Sequence, residues 1–215
     1  LTAFLGLISV VGYMSSTEKR RETVEFNDHF FFYFKKLSRL FFITFVLFMG
    51  YMFFLTISPV YLTNIAGSSS KMGLIVLISG IIHALTAPYA GKLVDKYPRE
   101  LAIRIASVFV IFSMLAYSFT ENLYVVTVVF TIPIYMTFFL GARAIVADQV
   151  PYDLRARTMG LLSSFSLLGS GFGSLIVGEL LLHYEEQEVF LFGAVLALIA
   201  FILSLKDFPD EKNGY

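Results

Sequence analysis

Long apolar runs, separated by short polar connections, decide what this chain can fold into. Each run is close to the length of about 20 residues that a helix needs to cross a bilayer. The six long runs cover residues 40–62, 72–90, 101–119, 123–142, 158–182 and 189–205. Only 15% of the 215 residues are charged, whereas a soluble domain carries about 25%. The runs therefore predict an all-α, polytopic membrane protein with six complete crossings.

Basic residues mark one side of this predicted bundle. Alternate connections between the runs hold 15 of the 16 lysines and arginines, and an excess of basic residues marks the cytoplasmic side of a membrane protein. The connection at residues 91–100 is one of these, and we predict it to be a short charged loop between two antiparallel helices. We expect this loop and the C-terminus to lie in the cytoplasm, and the protein to lie in the plasma membrane.

The remaining segments are assigned from their position beside the six runs. Residues 1–14 are apolar but too short to span, and we interpret them as the end of a truncated transmembrane helix. A signal peptide is disfavoured because no basic segment precedes the apolar residues. Residues 15–39 form a cytoplasmic linker, whose aromatic and basic part predicts a helix lying in the membrane interface. The bundle then covers residues 40–207, and residues 208–215 form a cytoplasmic tail.

The composition argues against several functional classes. Zero net charge gives no reason to expect a nucleic-acid partner, and the absence of cysteine excludes disulfides and thiolate metal sites. We expect no metal and no cofactor. The glycine-rich stretch at residues 169–173 lies inside an apolar run, so it is not a phosphate-binding loop. A G-x-S-G protease pattern fails because Leu168 occupies its first position, and no enzyme is predicted.

Polar and small residues inside the runs are the candidates for function and close packing. His83 is the ionisable residue near the middle of a complete run, which suggests proton coupling. The alternative is a neutral histidine hydrogen-bonded to a serine or threonine across a helix interface. Pro59 and Pro133 mark helices that can bend or break beside a cavity. The many glycines and serines of residues 158–182 predict close packing against another helix, in this chain or outside it.

Two polar connections carry a family pattern. Gly91, Asp95, Lys96 and Arg99 match four positions of the loop G-x-x-x-D-[RK]-x-G-R-[RK], although residues 98 and 100 depart from it. In this loop the chain resembles the major facilitator superfamily of secondary transporters.

A second segment agrees with this resemblance. Asp148, Pro151 and Arg155 are similar to the acid–x6–arginine segment between the fourth and fifth helices of a half in that family. The resemblance implies a six-helix C-terminal half, preceded by the end of the sixth helix and the central linker. It also implies a partner, namely the missing N-terminal six-helix half of the same protein, besides the lipid bilayer and a small-molecule substrate.

The resemblance implies transport of a small solute by alternating access, with proton-coupled efflux as one form. Arg99, Asp148 and Arg155 would form a cytoplasmic charge latch, and Asp95 would face a helix start in the other half. Solute contacts would come from the two proline-marked helices, through Tyr51, Phe54, Ser58, Thr131, Tyr135 and Phe138. This aromatic, uncharged set favours an apolar or neutral solute. A membrane sensor or scaffold that transports nothing remains the alternative.

Overall fold

Seven helices make up the secondary structure of residues 28–206, the part of the chain that the computed structural model describes. They are α1 (Asp28–Ala66), α2 (Ser69–Lys96), α3 (Arg99–Phe119), α4 (Leu123–Thr131), α5 (Ile134–Gln149), α6 (Tyr152–Leu180) and α7 (Glu186–Ser204). Five of them, namely α1, α2, α3, α6 and α7, are long and apolar enough to cross a membrane. The predicted all-α, polytopic fold is confirmed.

The fourth predicted crossing, residues 123–142, is not one continuous helix, so the prediction of a single helix there is wrong. Helix α4 ends at Thr131 and α5 begins at Ile134. Pro133 has no N–H to donate, and the residue before a proline avoids the helical conformation. Ile132 accordingly has extended backbone angles, with φ −76° and ψ 124°. Two shorter helices joined at Ile132 and Pro133 therefore occupy the place of one.

The other prolines leave their helices intact. Pro59 lies inside α1 and Pro88 lies inside α2, and both helices continue on either side. The possibility of a break at Pro59 is thus not realised, and of these three prolines only Pro133 separates two helices. The broken crossing is a local property of residues 131–134.

The predicted loop at residues 91–100 is mostly helix. Helix α2 continues through Gly91 and Asp95 to Lys96, and α3 begins at Arg99. A helix keeps its backbone hydrogen bonds while its last turns carry charged side chains into water, so charge alone does not end it. The end is set by Pro98, which forces Tyr97 into an extended conformation with φ −113° and ψ 163°.

The chain divides into two compact units, residues 1–32 and residues 33–215. Of the linker predicted at residues 15–39, the part from Asp28 onward belongs to α1 and continues into the first apolar run without a break. The predicted helix end at residues 1–14, residues 15–27 and the tail at residues 208–215 lie outside the described residues.

Close packing around α1 organises the second unit. At Gly169 and Gly173 of α6, an added Cβ atom would overlap the backbone carbonyls of Phe45 and Met49 of α1. At Gly193 of α7, the same atom would lie 2.8 Å from Cβ of Phe53, also on α1. The small-residue face of α6 therefore packs against a helix of this chain.

The glycines of α6 are not all part of that contact. Added Cβ atoms at Gly160, Gly171 and Gly178 would meet nothing within 4 Å. Leu167 and Leu175 are each 72% exposed on the side of α6 that α1 leaves open. Helix α6 thus has one face packed backbone to backbone and another apolar face uncovered by the described residues.

Candidate functional site

A small cavity lies where α1, α2, α3 and the end of α4 meet. Its volume is about 30 Å³, enough for one or two waters. Its lining is mostly aromatic and aliphatic, with polar atoms from a tyrosine, a histidine and a serine. The lining residues are Tyr51, Phe54, His83, Val110, Ser113, Val129, Phe130 and Ile132. The break after α4 therefore forms part of the cavity wall.

Aromatic contacts hold the α1 side of this cavity. Tyr51 and Phe54 lie one helical turn apart, and their rings stack with centroids 6.2 Å apart. Phe54 also stacks on Phe130 of α4 at 6.0 Å and meets the ring of Tyr117 of α3 edge-on at 5.1 Å. Aromatic pairs of this kind contribute about 0.5–1.5 kcal/mol beyond the area that they bury. The α1 wall is thus fixed by side chains from two other helices.

The six residues predicted to contact a solute are distributed over different environments. Tyr51 and Phe54 line the cavity, and Phe138 packs in the core against Phe48 beside a second, smaller depression that Tyr51 also lines. Ser58 is fully buried, and its Oγ atom has no hydrogen-bond partner among the described residues. The hydroxyl of Thr131 donates to the carbonyl of Thr127 in its own helix. The side chain of Tyr135 lies outside the described part.

The sequence did not single out Phe130 or Ser113, which line the same cavity. Phe130 lies three residues before Pro133, and this proline is the sequence feature that could have indicated a cavity-lining residue nearby. Ser113 is one of several serines in apolar runs, and its place in the cavity wall opposite residues of α1 and α2 distinguishes it. Helical periodicity in one run does not reveal such a contact between runs.

His83 is connected to the broken crossing through a serine. Ser79 precedes it by one turn of α2, and Ser79 Oγ lies 3.4 Å from Nε2 of His83. The Ser79 hydroxyl also lies 3.4 Å from the carbonyl oxygen of Phe130, to which it donates. The predicted alternative placed a serine or threonine across a helix interface, whereas Ser79 belongs to the same helix. Ser79 makes the hydrogen bond to α4.

The basic end of the bundle, where α2, α5 and α7 end and α3 and α6 begin, brings two predicted latch residues together. Arg99 Nε lies 3.2 Å from Oδ2 of Asp148, and Arg99 Nη1 lies 3.4 Å from Oδ1 of Asp95. Arg99 also donates to the carbonyl of Val94. The carboxylates are largely exposed, with side-chain values of 57% for Asp148 and 81% for Asp95. This is a solvated ion-pair cluster joining α2, α3 and α5.

Arg155 does not join that cluster among the described contacts. Its Nε atom donates to the carbonyl of Val150 at 2.9 Å. Val150 is the residue after α5 and has left the helical conformation, with φ −122° and ψ 131°. A carbonyl freed at a helix end is a strong acceptor, and a guanidinium satisfies it. Of the remaining loop residues, Lys96 lies over the ring of Tyr97, and a Cβ atom added at Gly91 would meet nothing within 4 Å.

Two arginines that the sequence counted only as charges have specific contacts at this end. Arg104 of α3 donates to the carbonyls of Ser204 and Leu205 at 3.1 and 3.2 Å. Arg39 of α1 donates to the carbonyl of Lys206 at 2.7 Å. These carbonyls end α7 and have no helical donors of their own. The two guanidiniums therefore fasten the end of α7 to α1 and α3.

The described residues contain no group of three or more His, Cys, Asp or Glu side chains placed to hold a metal ion. The cavity lining offers aromatic rings, the hydroxyls of a tyrosine and a serine, and an imidazole.

The sequence of residues 40–214 matches the profile of the Major Facilitator Superfamily. The chain belongs to this superfamily. The match includes both polar connections of the basic end and every helix that borders the cavity. With its membrane-crossing helices, this membership makes the chain an integral membrane protein.

Two curated proteins are similar to this chain by direct comparison. The quinolone resistance protein NorA of Staphylococcus aureus (strain N315) is 26% identical over 186 residues, which cover 84% of this chain and 47% of NorA. The multidrug resistance protein MdtG of Proteus mirabilis (strain HI4320) is 28% identical over 134 residues, covering 62% of this chain and 33% of MdtG. The chain thus spans about half the length of NorA and a third of MdtG.

Proposed function

We propose that this chain supplies half of a secondary transporter that exports a small solute by alternating access. Membership of the superfamily is the observation that carries the proposal, because transporters of this kind move two halves about a central site. The names of both relatives refer to drug resistance, which favours export over import. We propose no catalytic activity for the chain.

The uncovered apolar faces support a second half as the partner. Helix α2 exposes Leu74, Leu77 and Leu85 by 59–67%, and α6 exposes Leu167 and Leu175 by 72%. The curated relatives are about twice as long as the matched region or longer. A second six-helix half of the same protein, with lipid around both, would cover these faces. No nucleic acid is part of this proposal.

The lining of the cavity supports an apolar or neutral solute, and the second half would supply the rest of the site, because about 30 Å³ does not hold a drug-sized molecule. Among the described residues that line it, none is an acid, a lysine or an arginine. Aromatic rings supply most of the wall on the α1 side, and they bind apolar surface well. Tyr51 and Phe54 are the proposed contacts in this half, and His83 is the proposed site of proton coupling.

The basic end supports a latch on the cytoplasmic side of the plasma membrane. Exposed ion pairs contribute only about 0–1 kcal/mol, so the Arg99–Asp148 pair can break in each cycle without a large barrier. The concentration of lysine and arginine in alternate connections favours the cytoplasm for this end. On this proposal Asp95 remains available to the other half, since it is the most exposed member of the cluster.

Efflux from proteoliposomes tests the function. The protein at its full natural length would be reconstituted, and a fluorescent quinolone and a neutral aromatic dye would be followed under an imposed proton gradient. We expect gradient-driven, saturable transport of one of these probes. Tyr51→Ala should raise the KM for that probe roughly 2- to 12-fold, the equivalent of one aromatic contact.

Phe112→Ala is the matched control, because Phe112 is 60% exposed on α3 and lies outside the cavity. It should leave the KM unchanged. If a probe raises the melting temperature of the protein but is never transported or exchanged, the protein is a sensor or scaffold and the proposal is wrong.

A further inference from the structure

We propose that Ser79 and His83 form a proton-operated clasp, which fastens α2 to the broken crossing between α4 and α5 when His83 is protonated. The inference rests on the proposed function only in treating this proton as part of a transport cycle. The clasp itself is a property of three groups: the imidazole of His83, the hydroxyl of Ser79 and the carbonyl of Phe130.

The carbonyl of Phe130 needs a donor from outside its own helix. In an unbroken helix it would accept from the N–H of residue 134, four positions later. Here Ile132 leaves the helix in an extended conformation, and its N–H turns back to the carbonyl of Val129 at 3.4 Å. A backbone carbonyl without a partner in an apolar environment costs about 1–3 kcal/mol. The Ser79 hydroxyl is the group that the structure offers to it.

One hydroxyl proton cannot serve two acceptors. Ser79 Oγ lies 3.4 Å from both the Phe130 carbonyl and Nε2 of His83, and both distances are long for hydrogen bonds. When Nε2 carries no proton it accepts, and it competes with Phe130 for the Ser79 proton. When His83 is protonated, Nε2 can only donate, so the Ser79 proton is directed to Phe130.

The surroundings leave this choice to His83. Ser79 is 3% exposed, so water does not readily replace either contact. The group that can titrate across the cavity from α1 is Tyr51, and α3 presents Val110 and Ser113. Of the charged side chains of α2, α3 and α5, Lys71 lies near the start of α2. The others lie at the basic end or within two turns of it: Lys92, Asp95, Lys96, Arg99, Glu100, Arg104, Arg143 and Asp148. Histidine is the side chain whose ordinary charge change falls between pH 5 and 8.

Two residues of the clasp also line the proposed solute site. His83 and Phe130 both line the cavity, together with Tyr51 and Phe54. A solute or a proton in the cavity therefore contacts His83, whose protonation determines whether Ser79 donates to the carbonyl of Phe130 at the end of α4. Release of Phe130 would allow the last turn of α4 and the start of α5 to move apart at Ile132 and Pro133.

Hydrogen exchange in lipid nanodiscs tests the clasp without any transport measurement. The protein at its full natural length is examined at pH 5.5 and pH 8.5, and exchange of the amides of residues 127–137 is compared between variants at the same pH. At pH 5.5 the wild-type amides should exchange about 2- to 10-fold more slowly than those of Ser79→Ala, the effect of one hydrogen bond. At pH 8.5 this difference should shrink.

Three further variants give distinct results. His83→Ala removes the competing acceptor, so the slow exchange should appear at both pH values. Ser79→Thr keeps the hydroxyl and should restore the pH dependence. Ser107→Ala removes a buried hydroxyl of α3 that lies outside the cavity, and the exchange of these amides should be as in wild type.

The clasp is wrong if wild type and Ser79→Ala exchange alike at pH 5.5, or if His83→Ala keeps the pH dependence. If Ser79→Ala does not fold, the pH dependence of exchange in His83→Ala is enough to test the clasp. Efflux measured on the same preparations separates the two proposals. Protein that shows the predicted exchange but transports nothing contradicts the transport function and leaves the clasp standing, whereas transport without pH-dependent exchange does the reverse.

Discussion

The two ends of the bundle are fastened in different ways. At the basic end, the exposed pair of Arg99 and Asp148 joins α3 to α5. At the opposite end, Tyr61 of α1 is 6% exposed and donates to the carbonyl of Thr120 at 3.0 Å. The side-chain amide of Gln187 of α7 donates to the Tyr61 hydroxyl at 3.1 Å, and the backbone carbonyl of Gln187 accepts from the Ser118 hydroxyl of α3 at 2.7 Å.

The contacts at the basic end can break at low cost in free energy, whereas those at the opposite end cannot. Exposed ion pairs are weak and are screened by salt, whereas hydrogen bonds that are partly buried leave costly unpaired groups when they break. We therefore expect the tyrosine–glutamine network (Tyr61, Ser118, Thr120 and Gln187) to keep α1, α3 and α7 together. The basic end is the side on which charged contacts can be exchanged.

Tyr61→Phe should have the largest effect on stability of the changes at either end. The substitution keeps the ring contacts with Tyr117 and Phe190 but removes a donor and an acceptor. We expect the free energy of unfolding to fall by about 1–3 kcal/mol, measured by denaturant titration in detergent micelles. Tyr124→Phe is the control, since Tyr124 is at the same end and 83% exposed. Equal effects of the two variants would remove the distinction between the ends.

Arg104→Lys should have an intermediate effect. Lysine keeps the charge at the end of α7 but lacks the planar fork with which Arg104 reaches the carbonyls of Ser204 and Leu205. We expect a loss of about 1 kcal/mol in the same titration. Arg157→Lys, an exposed position at the same end, should change nothing measurable. A neutral result for Arg104→Lys would mean that charge alone holds this helix end.

Asp148→Asn should have the smallest effect on stability, about 0–1 kcal/mol. The difference from wild type should diminish between 0.05 and 0.5 M NaCl, because salt screens exposed charges. On the proposed function, efflux should nevertheless slow while insertion into the membrane is unchanged. Asp153→Asn, which alters an exposed carboxylate at the start of α6, is the control for both measurements. Normal efflux by Asp148→Asn would argue against the latch.

The sequence predicted the basic end better than the opposite one, and the reason is physical. Charge is visible in a sequence, and alternation of basic connections follows from the membrane itself. The tyrosine–glutamine network joins neutral side chains 126 residues apart, and no local pattern announces it. Tyr61 lies near the end of an apolar run, as other tyrosines do, but its side chain is buried, whereas that of Tyr124 is exposed.

Helix positions were predictable from apolar length, but helix ends were not. The charges at residues 91–96 predict a loop, but they show only that these side chains lie in water. A solvated segment can still be helical, and α2 continues to Lys96. Pro133 was marked beforehand, yet the sequence alone could not say that it would end a helix while Pro59 would not. At the break before Pro133, Ser79 of another helix donates to the carbonyl of Phe130, and no pattern within one run of the sequence predicts such a contact.

The glycine contact between α1 and α6 has a consequence for how the bundle moves. At Gly169 and Gly173 the two backbones touch without a side chain between them, so no rotamer change can absorb sliding of one helix along the other. We therefore expect α1 and α6 to move together. Among the crossings that the structure describes, the one interrupted at Ile132 and Pro133 is where we expect bending within this half.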